Sequence, residues 1–276
     1  MNRAFTVSLA AWITLAWAGS SMAADPVPTQ PPTKPNDSLS PPAATHDVRT
    51  DVPVLAYAYT AYGASAKSIG AQLYGIGSIA SDQRGLAAGG ATIWGSPIDR
   101  LTIIGDAARN TYGNFSPSVG VVVRLLGTPR DGWSLGALGK FKVDGFAGGP
   151  TKDEMESELE TGLLLSFARR GWHLDVNAIS GFGLGDDGEI DFEGRLRFGR
   201  EIGKFVRVGA DGQARFRLAG PKYLPNKKTW DFSAGPQLQI GSKHFFGALT
   251  AGPATMGLFS EKVGWNAMVS VGGSTL

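Results

Sequence analysis

The sequence has no cysteine, little net charge and no long apolar run beyond its N-terminus. The absence of cysteine excludes a disulfide scaffold. The net charge of +2 over 276 residues provides no basic field for nucleic acid, so we expect no nucleic-acid partner. A spanning helix needs about 18 or more consecutive apolar residues. Any membrane crossing beyond the N-terminus must therefore be made by β-strands.

What the sequence does contain is residue-by-residue alternation of charged and apolar side chains. Every second residue from Glu154 to Glu160 is a glutamate, and charged and apolar residues alternate again over 189–198. Successive side chains of a strand point to opposite faces, so this period predicts β-strands. The predicted strands are about 10–15 residues long, against about 5–6 in globular sheets. One face of each is apolar and the other is polar or charged.

Turn-forming residues divide the chain into about twelve strand candidates. We predict strands at 67–79, 85–94, 99–109, 117–127, 132–146, 154–168, 171–184, 188–200, 204–219, 228–241, 243–254 and 262–275. Short turns, such as Arg169-Arg170, alternate with mostly longer connections, such as 220–227. An even number of strands lets both ends of the sheet lie on the same side.

Aromatic residues fall into two bands along these strands. One band lies beside the short turns and the other beside the longer connections; together they comprise Trp94, Trp133, Trp172, Phe205, Phe245, Phe146, Phe182 and Trp230. Aromatic rings at both ends of an apolar wall are typical of the interfacial girdles of membrane barrels. A soluble core would instead place its bulky aromatic residues in the middle of the strands.

In its alternation, turn asymmetry and aromatic bands, the chain resembles a bacterial outer-membrane β-barrel protein over 67–276. The resemblance is one of architecture and identifies no specific family. It implies an all-β fold, an antiparallel up-and-down transmembrane barrel, in a monomeric protein inserted by the barrel assembly machinery. The alternative is a secreted soluble β-sandwich, a binding protein whose charged face is simply exposed to solvent.

The resemblance places the charged face in the barrel lumen. The predicted lumen or pore lining consists of Lys140, Lys142, Glu154, Glu156, Glu158, Glu160, His173, Asp175, Glu189, Asp191, Glu193, Arg195, Arg197, Arg207, Asp211, Arg215, Arg217 and Asp231. These charges indicate either a passive pore or a structural envelope protein whose lumen is filled by ion pairs. The lining is mildly acidic, so any conductance should prefer cations.

Folding the predicted hairpins at their turns also predicts which inward residues face each other across the strands. The expected pairs are Lys142–Glu156, Lys140–Glu158, Asp175–Arg197, Asn177–Arg195, Arg207–Arg197, Arg215–Glu189 and Arg217–Asp231.

The N-terminal region reads as an export signal followed by a linker. Arg3 and the apolar run from Phe5 to Ala18 predict a signal peptide at 1–23. The Pro/Thr/Ser-rich stretch at 24–48 predicts a disordered periplasmic tail. The next stretch, 49–66, is either an extra strand or a segment that lies in the lumen or in the periplasm. Export of a cysteine-free β-rich chain indicates the outer membrane of a Gram-negative bacterium. Membrane lipid is the expected partner, together with lipopolysaccharide through the basic loop 220–228.

Catalytic and metal-binding signals are weak. The alternative of a lipid-modifying enzyme in the barrel would require His173 and Ser166, because those two residues share the inward face of one predicted hairpin. Asp186-Asp187-Gly188 lacks the spacing of a calcium loop and reads as a turn. We therefore predict no catalytic residue, no metal site and no cofactor.

Overall fold

The computed structural model describes residues 54–55, 58–79, 85–111, 113–128, 131–144, 156–185, 188–219, 230–242, 244–255 and 263–275. The strands are β1 (Val54–Leu55), β2 (Ala58–Tyr59), β3 (Ser68–Ile79), β4 (Gly85–Ile98), β5 (Leu101–Asn110), β6 (Phe115–Thr128), β7 (Asp131–Asp144), β8 (Glu156–Arg169), β9 (Trp172–Gly183), β10 (Ile190–Ile202), β11 (Val206–Ala219), β12 (Trp230–Gly241), β13 (Phe245–Thr255) and β14 (Val263–Ser274). The predicted signal peptide, the tail at 24–48 and Phe146 lie outside the described residues.

Strands β3 to β14 form a closed antiparallel barrel of twelve strands. Each pairs with its neighbours along the chain, and β14 closes the barrel by pairing with β3, for example Gly272 with Gln72. Closure leaves no sheet edge with unpaired backbone groups. This confirms the predicted fold class and contradicts the sandwich alternative, which requires two packed sheets. No helix among the described residues is long and apolar enough to cross a membrane.

The predicted strand bounds agree with the structure to within a few residues. The largest difference is at β4, which continues to Ile98 instead of ending at Trp94. The Gly95-Ser96-Pro97 segment lies within the strand because the register with β5 shifts between Gly95 and Ile98. Proline is tolerated in strands at such irregularities. Because β4 continues past Pro97, the turn occupies Asp99 and Arg100.

The two faces of the barrel wall differ as the alternation predicts. Large apolar side chains point outwards and are exposed, among them Leu73, Ile93 and Val119 at 63%, 61% and 56%. In β14 exposed and buried residues alternate from Val263 to Val271. Buried side chains are those that point into the barrel, so the described core is the lumen itself. We call the end with the connections β4–β5, β6–β7, β8–β9, β10–β11 and β12–β13 the short-turn end.

Strands β12 and β13 approach each other unusually closely at two glycines. A Cβ atom built on Gly235 would collide with the carbonyl oxygen of Ala251, and one on Gly252 with that of Ala234. Both collisions are with backbone atoms, which cannot be moved by changing a rotamer. Only glycine permits this approach.

Replacement of Gly235 by alanine should therefore destabilise the barrel by about 1–3 kcal/mol, the usual cost of overpacking. The measurement is the urea midpoint of unfolding in detergent micelles. Gly77→Ala is the matched control, because a Cβ atom at Gly77 would meet nothing within 4 Å. Equal midpoints for the two variants would contradict the steric explanation.

Candidate functional site: the barrel lumen

Opposite charges face each other across the β7–β8 ladder. The register places Lys140 opposite Glu160 and Lys142 opposite Glu158. The Nζ–Oε2 distances are 3.0 Å and 3.4 Å respectively. Each such cross-strand pair contributes about 0.2–1 kcal/mol. Antiparallel pairing of two alternating strands is thus enough to position the first part of the lumen network.

A more deeply buried ion pair joins β9 to β10. Arg197 donates from Nε and Nη2 to Oδ2 of Asp175, at 2.8 Å and 2.6 Å. The hydroxyl of Ser166 donates to Oδ1 of the same carboxylate at 2.5 Å. Asp175 and Arg197 are 4% and 5% exposed, so both charges depend on each other and on their hydrogen bonds for stabilisation.

Glu201 organises a second buried group near the short-turn end. Its Oε1 atom lies 2.7 Å from Nε2 of His173 and 3.3 Å from Nη2 of Arg207. Arg207 also donates from Nη1 to the Gln239 side-chain oxygen at 3.1 Å. The predicted strand 188–200 ends before Glu201, so the predicted lumen lining omits this residue. The alternation of β10 continues to Ile202, and this extra length puts Glu201 on the inward face.

The third group lies nearer the long-connection end. Arg215 forms an ion pair with Asp191 and lies 3.9 Å from both Glu158 and Glu189. Arg217 contacts Glu189 at 2.7 Å. Arg215 thus links carboxylates of β8, of β10 and of the connection before β10. A separate pair lies within β10, where Arg195 donates to Glu193 at 2.8 Å.

The remaining predicted lining residues have different surroundings. Asp211 accepts a hydrogen bond from Gln237 at 3.0 Å, and Asp231 accepts one from Thr255 at 3.2 Å. Glu156 is exposed at the start of β8, while Glu154 lies outside the described residues. Among the described residues, no group of three or more His, Cys, Asp or Glu side chains could hold a metal ion.

The pairing of these charges is only partly as the sequence suggested. The expected pairs Asp175–Arg197 and Asn177–Arg195 are confirmed. The expected pair Arg207–Arg197 is wrong, because Arg207 lies opposite Glu201. The turn occupies 203–205, with Gly203 at a φ of 72°, further along the chain than assumed. The other misplaced pairs were Lys142–Glu156, Lys140–Glu158, Arg215–Glu189 and Arg217–Asp231, where the observed registers differ.

The opposite wall of the lumen, around β3 to β5, is mostly neutral. Tyr74 donates to Asp106 at 3.2 Å, and Thr92 donates to the same carboxylate at 2.8 Å. Gln72 donates to Thr92 at 3.3 Å. The lumen is therefore asymmetric, with its ion pairs concentrated on β7 to β11.

Residues 58–66, which we call the inner segment, lie inside the barrel. Tyr59, Thr60, Ala61 and Tyr62 are between 0% and 5% exposed. Tyr59, Ala61 and Ala64 belong to one apolar cluster with inward residues of the wall, namely Trp94, Ile104, Val122, Leu138, Leu164, Ile179, Phe246 and Ala248. The described part of 49–66 thus packs against inward residues of the wall.

The prediction that Trp94 belongs to the aromatic girdle is wrong. Trp94 is 3% exposed and points into the barrel, where its ring centroid lies 6.3 Å from that of Phe246. A Cβ atom at Gly70 would collide with the Trp94 ring, so this glycine provides the space for an inward indole. Because alternation continues through β4 to Ser96, Trp94 shares the inward face with Thr92.

The other predicted girdle residues with described side chains point outwards. At the short-turn end, Trp133, Trp172, Phe205 and Phe245 are 55%, 39%, 53% and 57% exposed. At the opposite end, Phe182 is half-buried near the end of β9. The side chain of Trp230, the first residue of β12, lies outside the described part of the chain. The guanidinium carbon of Arg200 lies 4.9 Å from the centre of the exposed Trp172 ring, a cation–π contact.

The barrel resembles solved structures in its fold. No family model matches the sequence, and no curated protein matches it as a relative. An outer-membrane channel from Pseudomonas putida F1 is 11% identical with a TM-score of 0.53; the match covers 82% of this chain and 99% of that one. The chain shares the fold of outer-membrane channels. The NanC porin is similar too, at 12% identity and a TM-score of 0.51, covering 72% of this chain and 98% of that one.

The Asp175–Arg197 pair yields a stability prediction. Arg197→Ala leaves a buried carboxylate without its guanidinium, and such a loss costs about 3–5 kcal/mol. Arg200→Ala removes an exposed arginine of the same strand and should cost only about 0.5–1 kcal/mol, the value of its cation–π contact. Urea unfolding in detergent micelles measures both. A loss for Arg197→Ala no larger than that for Arg200→Ala would contradict the burial argument.

Proposed function

We propose that the protein is a pore of the bacterial outer membrane through which small ions and polar solutes diffuse. The proposal rests on the chemical difference between the outer and inner faces of the barrel wall. Apolar side chains such as Leu73 and Ile93 are exposed outside, while ionised residues such as Asp175 and Arg197 are buried inside. An apolar exterior suits lipid, and a lumen lined by charges suits hydrated solutes.

The outward aromatic residues support the membrane location. Trp133, Trp172, Phe205 and Phe245 are exposed beside the short turns, where a girdle at the membrane–water interface would lie. We place this end in the periplasm, because outer-membrane barrels have short periplasmic turns. The predicted signal peptide at 1–23 and delivery to the assembly machinery belong to the same proposal, as does contact of loop 220–228 with lipopolysaccharide.

The charge balance of the lumen supports cation preference. Among the described residues, inward acids outnumber inward bases. The acids are Asp106, Glu158, Glu160, Asp175, Glu189, Asp191, Glu193, Glu201, Asp211 and Asp231, and the bases are Arg124, Lys140, Lys142, Arg195, Arg197, Arg207, Arg215 and Arg217. Rings of acidic side chains favour cations. Because most of these charges are paired, the preference is mild.

A structural envelope protein is the second candidate, because the network from Glu158 to Arg217 also fills and stiffens the barrel. A pore must conduct, whereas a structural barrel need not. The enzyme alternative has less support: Ser166 donates to Asp175, while His173 contacts Glu201. A serine nucleophile needs its histidine within hydrogen-bond reach.

The Lys142–Glu158 pair allows a matched test of selectivity. Glu158→Gln should shift the reversal potential in a salt gradient towards anions, since it removes one negative charge from the lumen lining. Lys142→Gln should shift it towards cations by a comparable amount, and the double variant should return close to the wild type. The measurement uses the chain from Ala24 onwards in planar bilayers, after heat-modifiable migration on SDS gels has shown that each variant is folded.

Two results would contradict the proposal. Absence of conductance in the folded wild type and in every variant favours the structural alternative. Anion preference of the wild type overturns the predicted selectivity. The absence of a shift in both single variants would show that this pair does not line the ion path.

A further inference from the structure

We propose that the inner segment is a removable plug, which narrows the lumen near the short-turn end and limits passage until it leaves its site. The inference rests on the proposed pore function. It adds a conformational control that the closed barrel alone does not imply.

The wall holds the inner segment mainly through its backbone. The side chain of Asn177 accepts from the N–H of Tyr59 at 2.7 Å and donates to its carbonyl oxygen at 2.9 Å. The backbone N–H of Ala61 donates to the Ser166 hydroxyl at 2.7 Å. Two strands of the wall, β9 and β8, thus bind the first half of the segment in the manner of an extended peptide.

The second half is held in the same way by β4, β5 and β6. The N–H of Ala64 donates to Oγ1 of Thr102 at 3.0 Å, and Ser96 donates to the Ala64 carbonyl at 3.1 Å. Arg124 donates to the carbonyl of Tyr62 at 3.1 Å. The segment therefore follows the inside of the wall from β9 to β4 before the chain enters β3.

The wall is shaped to receive the segment. A Cβ atom at Gly136 would lie 3.3 Å from Cα of Ala61, so a glycine makes room where the segment passes β7. Gly63 has a φ of 67°, a conformation that suits glycine. The Arg195 guanidinium lies 5.1 Å from the centre of the Tyr59 ring. These features indicate a built binding site for this stretch.

The barrel does not need the segment for closure. Its twelve strands form a complete ring in which β14 pairs directly with β3. The segment is attached by individual hydrogen bonds, each contributing about 0.5–1.5 kcal/mol net. Its departure would leave the serine, threonine and asparagine side chains of the wall in contact with water. It would also expose the apolar wall residues that pack against Tyr59, Ala61 and Ala64, so the occupied state is favoured and release is infrequent. The segment can therefore leave without opening a strand pair, and the space it occupies becomes part of the lumen.

A reversible disulfide tests whether the segment must move. A Cβ atom at Gly136 would lie 3.4 Å from Cβ of Ala61, close to the roughly 3.5–4.5 Å of natural disulfides. The chain has no cysteine of its own. The Ala61→Cys/Gly136→Cys variant should conduct several-fold less when oxidised than after reduction with dithiothreitol. Each single cysteine variant is the control and should not respond to redox conditions.

Weakening the site should have the opposite effect. Asn177→Ala combined with Thr102→Val removes bonds to Tyr59 and Ala64, so conductance should rise several-fold. Thr250→Val is the matched control. Thr102 and Thr250 are both inward threonines 1% exposed, but the Thr250 hydroxyl makes no hydrogen bond to any described residue.

The outcomes separate this proposal from the pore function. Equal conductance of the oxidised and reduced disulfide variant overturns the plug while leaving a conducting pore intact. Lack of conductance in every folded protein overturns both. Heat-modifiable migration reports folding. If the weakened variant does not fold, the redox response of the disulfide variant, whose sequence is constant, decides alone.

Discussion

Closure of the sheet is the constraint on which the rest of the structure depends. The β14–β3 ladder leaves no strand edge, so all twelve strands have partners on both sides. In an apolar surrounding an unpaired backbone group costs several kcal/mol, and closure avoids that cost. It also determines the direction of every side chain of the wall, because each residue of a closed barrel points either outwards or into the lumen. Alternation along the sequence therefore becomes a chemical difference between outside and inside.

Inside the cylinder, residues distant in sequence become neighbours. Glu158 on β8 and Arg215 on β11 are three strands apart along the wall, yet their charged atoms lie 3.9 Å apart. Curvature brings the tips of long inward side chains together. The same charges on a flat sheet would form only pairs with adjacent strands. The lumen network is thus a consequence of curvature combined with alternation. Its ion pairs connect neighbouring strands and determine the charge distribution inside the barrel.

Sequence patterns predicted the strands and their faces well, because alternation is local. They predicted registers poorly where turn lengths were misjudged: the placement of the turn before Val206 changed the partner of Arg207 from Arg197 to Glu201. Trp94 was assigned to the wrong face because β4 was ended too early. The inner segment was left ambiguous because its position depends on Asn177 and Ser166, over a hundred residues away along the chain. Such contacts have no local signal.

The chemistry of the two kinds of interior contact explains which part of the lumen is permanent. Separating Asp175 from Arg197 would leave buried charges unpaired, which is costly. The inner segment contains no ionised residue. Its hydrogen bonds to hydroxyl and amide groups of the wall can be replaced by water when the segment leaves, and its apolar contacts favour the occupied state. Ser166 connects the two systems, since it donates to Asp175 and accepts from the backbone of Ala61. The Asp175–Arg197 ion pair thereby orients the Ser166 hydroxyl, which binds the inner segment without carrying a charge. The wall can therefore keep its ion pairs while the segment is released.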